Sequence, residues 1–165
     1  MTEVLVAVVM GSASDWEAMR HCAEQLEALD VPFESRVLSA HRTPKELSAW
    51  IEDVESRGAE VFIAAAGMAA ALPGVVAAQT TRPVLGVPME SAVAGGLDSL
   101  LSMVQMPGGI PVGVLAVGKA GAVNAATLAA QILGLSRPEF DEAVRKQREA
   151  KVAEILAEPD PSTER

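Results

Sequence analysis

Apolar runs of strand length alternate along the chain with segments in which apolar residues recur at helical spacing. Val4 to Met10 is an unbroken apolar run rich in valine, as in a strand covered on both faces. Gly11 to Asp15 breaks it. Ser14, with Glu17 three residues on, reads as a capping box opening a helix to about Leu29, with Met19, Cys22, Ala23 and Leu26 on one face. Pro32 to Leu38 reads as a second strand. Pro44 to Arg57 reads as a second helix, with Thr43 as its cap, Pro44 in its first turn and Gly58 as its stop. The same reading predicts strands at Val61–Ala66, Val84–Val87 and Val112–Val117, and helices at Leu72–Gln79, Asp98–Val104 and Ala122–Leu133. Strict alternation predicts the α/β class, with a parallel sheet and helices on both faces. Five strands suit a doubly wound, flavodoxin-like order 2-1-3-4-5.

The last segment differs. Ser136-Arg-Pro-Glu139 reads as another capping box. The helix after it carries only a thin apolar stripe (Phe140, Val144, Val152, Ile155, Leu156) among many charges. It can lie on its own domain or reach a neighbouring subunit as an arm. Pro159 and Pro161 predict a loose tail over residues 159–165. Short connections and the lack of repeats predict one α/β domain over residues 1–135, with a helical appendage over 136–158.

Composition narrows the partners. Half the residues are apolar, but aromatics are only 3% and tyrosine is absent. The core must therefore be built from Ala, Val, Leu, Ile and Met, which fill space only where elements approach closely. A net charge of −9 argues against nucleic acid and anionic membrane as partners, since binding there relies on Lys and Arg. An anionic substrate must then be held by local positive features. The single cysteine, Cys22, allows no disulfide framework or zinc constellation within the chain. The N-terminal run lacks a basic flank and is far shorter than a membrane span. The expectation is a cytoplasmic protein.

In an open parallel sheet, ligands bind beyond the carboxyl ends of the strands where strand order reverses. Three turns fall there. Gly11-Ser12-Ala13-Ser14-Asp15 offers close backbone approach, hydroxyl donors and free amides at a helix start, all suited to an anion; the plain alternative is a capped helix start. It is neither a dinucleotide fingerprint nor a Walker loop. Ser39-Ala40-His41-Arg42-Thr43-Pro44 combines a proton carrier near neutral pH with a planar fork suited to phosphate; the plain alternative is a solvated loop. Ala65-Ala66-Gly67-Met68-Ala69-Ala70-Ala71-Leu72-Pro73-Gly74 is almost free of polar side chains and predicts a dry wall contacting ligand through its backbone, or else ordinary close packing. His21 lies mid-helix among charged and small residues and reads as surface. Lys119 reads as a solvated turn residue or a charge for a ligand.

Gly11-Ser-Ala-Ser-Asp-Trp16, Ser39-Ala-His-Arg-Thr-Pro44, Leu72-Pro-Gly74, Leu97-Asp-Ser-Leu100, Gln105-Met-Pro107 and Gly118-Lys-Ala-Gly121 together resemble the PurE family of purine biosynthesis, in its bacterial-type class of 5-(carboxyamino)imidazole ribonucleotide mutases. The likeness covers roughly residues 4–134. It implies a three-layer α/β/α sandwich, a nucleotide-binding catalytic domain over residues 1–135, a homo-octamer with sites at subunit boundaries, a C-terminal helix reaching a neighbour, and no metal or organic cofactor. It implies transfer of a carboxylate from the exocyclic amine of the ribonucleotide to its ring carbon, by loss and recapture of carbon dioxide. His41 would be the catalytic acid and base. Arg42 and Ser12 would bind phosphate, Asp15 would bind ribose, and Ser39 with the Gly67 turn would frame the base. Gly11, Ser14, Ala40, Ala66, Met68, Ala71 and Leu72 would complete the substrate site.

The chain departs from the family pattern at three positions. Met68 stands where a glycine is usual, Ala71 where a second histidine is usual, and Ala13 where lysine is frequent. The class that carboxylates aminoimidazole ribonucleotide directly also lacks that histidine, but tends to carry Lys-Gly in place of Arg42-Thr43. Mutase is therefore the leading expectation and direct carboxylase the second. A relative acting on a different nucleotide and a non-catalytic nucleotide-binding module are further alternatives.

Overall fold

A computed structural model describes residues 3–157; the tail expected over 159–165 lies outside the described residues. Five strands form one parallel sheet: β1 (Val6–Met10), β2 (Phe33–Val37), β3 (Val61–Ala66), β4 (Val84–Pro88) and β5 (Gly113–Val114), in the order β2-β1-β3-β4-β5. The connecting helices are α1 (Trp16–Ala28), α2 (Pro44–Ser56), α3 (Leu72–Ala77), α4 (Leu97–Val104) and α5 (Lys119–Gly134), and α6 (Pro138–Ala157) follows. This is the expected doubly wound, flavodoxin-like sandwich.

Side chains alternate across a strand, so the continuous apolar runs supply two cores at once. Val6, Val8 and Met10 of β1, with Val61, Ile63 and Ala65 of β3, face α1, α5 and the start of α6. Ala7, Val9, Phe62, Ala64 and Ala66 face α2, α3 and α4. The scarcity of large side chains is met by close approach. Ala122, Ala125, Ala126, Ala129 and Ala130 of α5 are all fully buried, packed into one core with Cys22 and Leu26 of α1.

Several local expectations shift. The first capping box forms two residues early. Ser12 caps a short 3-10 turn over Ala13–Asp15, accepting from the Ser14 amide at 3.3 Å, while Asp15 accepts from the Ser12 amide at 3.0 Å. Thr43 makes no side-chain cap; its Oγ1 instead accepts from the Ser39 amide at 2.8 Å and donates to the Ser39 carbonyl at 3.1 Å. The fifth strand shrinks to two residues. Proline at 111 has no amide to give, and after Val114 only isolated bonds from Leu115 to Gly86 and from Gly118 to Pro88 continue the pairing. Ser136 turns its hydroxyl back to the Leu133 carbonyl at 3.3 Å. His21 is not a free surface residue; its side chain is 15% exposed and its Nδ1 lies 2.8 Å from Glu24.

The beginning of α6 belongs to its own domain. Phe140 and Val144 enter the core, and Arg137 just before it forks onto Glu60 at 2.9 and 2.6 Å. Its outer turns leave Val152, Ile155 and Leu156 exposed. None of the described helices is long and apolar enough to cross a membrane.

On edge strand β2, Glu34 gathers Trp50 Nε1 at 2.8 Å, Arg57 Nη2 at 2.8 Å and Arg36 Nε at 2.9 Å. Burial opposes its charge, but these three donors together hold its carboxyl down at about 2, against an ordinary 4.5. A carboxyl depressed in the fold contributes stability that is fully present above the unfolded value of 4.5 and drains as pH falls toward 2. Glu34→Gln is expected to cost about 1–2 kcal/mol at neutral pH, as for hydrogen bonds to a charged group, and to flatten the loss of stability across that acid window. Urea melts at pH 7, 4 and 3 check this; parallel pH profiles for the two proteins would contradict it.

Candidate active site

The register of β1 with β2 and β3 brings the three turns together. Met10 pairs with Val37 on one side and with Ala65 on the other. The strands therefore end level, and their following turns face one cavity of about 550 Å³. Small-molecule sites span roughly 300–1,000 Å³, so the space suits a mononucleotide. The residues that the resemblance assigned to the site all lie on its wall: Gly11, Ser12, Ser14 and Asp15 from the first turn, Ser39, Ala40, His41 and Arg42 from the second, and Ala66, Gly67, Met68, Ala71 and Leu72 from the third.

The first turn is a cradle of small groups. Ser14 donates its hydroxyl to Ser12 Oγ at 2.9 Å, so two hydroxyls stand side by side at the mouth. Asp15 is half-buried; burial pushes its carboxyl upward, and the Ser12 and Gly11 amides pull it part of the way back. In the second turn Ser39 is the pivot. Its Oγ accepts from the Arg42 amide at 3.2 Å and from Arg42 Nε at 3.5 Å. Arg42 Nη2 extends across to the Gly11 carbonyl at 3.4 Å, stitching the second turn to the first. His41 is exposed on the cavity wall beside it.

The third turn is nearly all backbone, as expected. Its most unusual member is Met68, in the left-handed region at φ 59° and 71% exposed. Side chains bearing a Cβ adopt that conformation at a cost of about 1–2 kcal/mol. Glycine would adopt it without that cost, and this chain accepts the strain. Gly67 beside it is packed tightly, for a Cβ there would touch Met89 Cβ at 3.4 Å.

Ala69 and Ala70, within the expected dry wall, also line the cavity, as do Met89 and Glu90, which were not singled out in the sequence. Met89 and Glu90 follow β4, the next strand in spatial order, so the carboxyl-end rule pointed to them once that order was known. A neighbouring recess of about 450 Å³ shares Ser14, Asp15, Met89 and Glu90, and continues to Arg20, His21 and Lys119. Lys119 thus borders the recess rather than the main cavity. Cys22 is no rival nucleophile: burial pushes its thiol up to about 12.

Comparison with known proteins gives a consistent result. The family model described as AIR carboxylase matches residues 5–154. A protein of Pseudomonas aeruginosa named N5-carboxyaminoimidazole ribonucleotide mutase is 54% identical over 157 residues, covering 95% of this chain and 96% of its own. Proteins of the same name from Escherichia coli and Bacillus subtilis are 55% and 50% identical, each over 156 residues; these cover 94% of this chain and 92% and 96% of theirs. The crystal structure of Treponema denticola PurE superimposes with a TM-score of 0.86 at 27% identity, covering 99% of this chain and all of that one.

Proposed function

The chain belongs to the AIR carboxylase family, and from that premise we propose that it is an N5-carboxyaminoimidazole ribonucleotide mutase of purine biosynthesis, acting in the cytoplasm. The observation that carries this reading is the convergence on one nucleotide-sized cavity of His41, Arg42 and the Ser12–Asp15 turn. The roughly half-identical relatives that bear the mutase name support it over nearly the whole chain.

The residues take the following roles. Arg42 and Ser12 hold the phosphate, with Ser14 and the Gly11 backbone beside them. Asp15 accepts from the ribose hydroxyls. Ser39, Ala40 and the backbone of Ala66, Gly67 and Met68 frame the imidazole, and Ala71 and Leu72 close the apolar side. Protonated His41 gives its proton to the exocyclic nitrogen as the carbon–nitrogen bond of the carbamate breaks and its electron pair stays on nitrogen. Carbon dioxide is released into the cavity. The ring carbon attacks it, a carbon–carbon bond forms, and neutral His41 removes the ring hydrogen as aromaticity returns. One imidazole acts first as acid and then as base, and the net change is an isomerisation. The wall of Ala69, Ala70, Ala71 and Leu72 offers the freed gas no hydrogen-bonding side chain, and exclusion of water guards against its loss.

The exposed Val152, Ile155 and Leu156 of α6 support a C-terminal arm that packs on a neighbouring subunit in a homo-octamer. Direct carboxylation is the second reading, favoured by Ala71, which stands where the resemblance leads one to expect a second histidine.

Purified protein given the carbamate substrate, or aminoimidazole ribonucleotide with bicarbonate, separates the two. Turnover of the carbamate alone is expected, from a particle of eight 17.1 kDa chains by sedimentation. Turnover only with bicarbonate would make it a carboxylase. Binding without turnover of either would make it a nucleotide-binding module.

A further inference from the structure

Leu97-Asp98-Ser99-Leu100 stands about thirty residues beyond the third turn and gives no side chain to the cavity wall. Ser99 is nevertheless the one fully buried polar residue among those described. A hydroxyl is costly to bury unless it is bonded, and Ser99 Oγ accepts from the Met68 amide at 2.9 Å. Ser102 lies nearly one helical turn further on. Its hydroxyl donates to the Asp98 carbonyl at 2.7 Å and also reaches the Met68 carbonyl at 3.3 Å. Helix α4 therefore holds the amide of the residue whose backbone is strained, and sets a hydroxyl near its carbonyl.

The helix is itself fixed to the wall. A Cβ on Gly96 would come within 2.8 Å of the Met89 carbonyl oxygen, so the start of α4 abuts the end of β4. Asp98 ties that start down, accepting from Ser91 and from the Ser99 amide.

Building on the proposed reaction, we infer that Ser99 is a positioning residue for the nucleotide site. It holds Met68 in the left-handed conformation, and so sets where the peptide groups of Gly67 and Met68 stand against the base. It touches no substrate and acts only through Met68. Glycine at 68 would adopt positive φ without strain, so there the hold of Ser99 on that strain would have nothing to oppose.

The test is a cycle of four proteins: the parent, Ser99→Ala, Met68→Gly and the double variant. For each, kcat and KM with the carbamate are read together with hydrogen exchange at the residue-68 amide. Ser99→Ala is expected to lose about tenfold in kcat/KM, mostly in kcat, as when one buried hydrogen bond is removed. Protection of the Met68 amide should fall by a similar factor. The double variant is expected to stay within about twofold of Met68→Gly, whatever the rate of that variant, because the strain that Ser99 opposes has been removed. An equal loss on both backgrounds, or unchanged Met68 protection in Ser99→Ala, overturns the inference. Should Ser99→Ala not fold, recovery of folding in the double variant supports it and failure of both overturns it. A parent inert on both substrates would defeat the functional reading instead, while the exchange arm would still decide the role of Ser99.

Discussion

Replacing His41 with asparagine is expected to lower product formation by about a thousandfold, above the low end of general acid–base contributions because two proton steps fall on one group. Asparagine preserves the approximate size and hydrogen bonding of imidazole but cannot change charge. The turn carrying it is fixed independently of the ring, through Ser39, Thr43 and Arg42. The fold and the affinity for aminoimidazole ribonucleotide should therefore stay within about threefold of the parent, which titration calorimetry reads directly. His21, the other histidine, borders the adjoining recess bound to Glu24 and cannot substitute. A variant retaining more than about a tenth of parental turnover would remove His41 from the proton path, since loss of acid–base catalysis costs at least a hundredfold.

Gly121→Ala is expected to destabilise the protein by about 3 kcal/mol or more, at or beyond the upper end of overpacking costs. Helix propensity alone gives the opposite sign, for alanine gains about 1 kcal/mol over glycine inside a helix. Packing decides. A Cβ at 121 would stand 1.7 Å from the Ala116 carbonyl oxygen and 3.2 Å from Val87 Cγ1. The first obstacle is backbone, so no rotamer change relieves it. The chain between β5 and α5 would have to move, and with it the bond from the Gly118 amide to the Pro88 carbonyl at 2.8 Å. Urea midpoints measure the effect; an unchanged or raised midpoint would show that the connection yields more easily than its geometry implies.

These two residues mark what was legible in the sequence. His41 was recognisable as chemistry because it lay in a polar turn outside any apolar period. The fold was legible for a related reason: runs such as Val4–Met10 and Val61–Ala66 are apolar on both faces, which in alternation with helical segments points to a covered parallel sheet. Gly121 was visible only as part of a motif. Nothing in its neighbours shows that Ala116 passes within contact distance, since that approach exists only after β5 and α5 have packed. Ser99 was hidden for the same reason, its partner lying thirty-one residues away. The capping box was real but misplaced, because Ser12 and Asp15 satisfy the same spacing as Ser14 and Glu17 and the 3-10 turn decides between them. Met68 and Ala71 were seen as departures, and the structure supplies a backbone meaning for the first alone. Glu90 follows β4, which the expected order 2-1-3-4-5 already set beside β3, so its place on the wall could have been drawn from that order.

Arg42 begins its work already engaged, its guanidinium divided between the Gly11 carbonyl and the Ser39 hydroxyl. Both contacts are long, at 3.4 and 3.5 Å, and leave most of the five guanidinium hydrogens unspent. In the role proposed for it, the side chain would thus be aimed across the mouth beforehand yet held lightly, so that a phosphate arriving there would find a fork that needs little rearrangement.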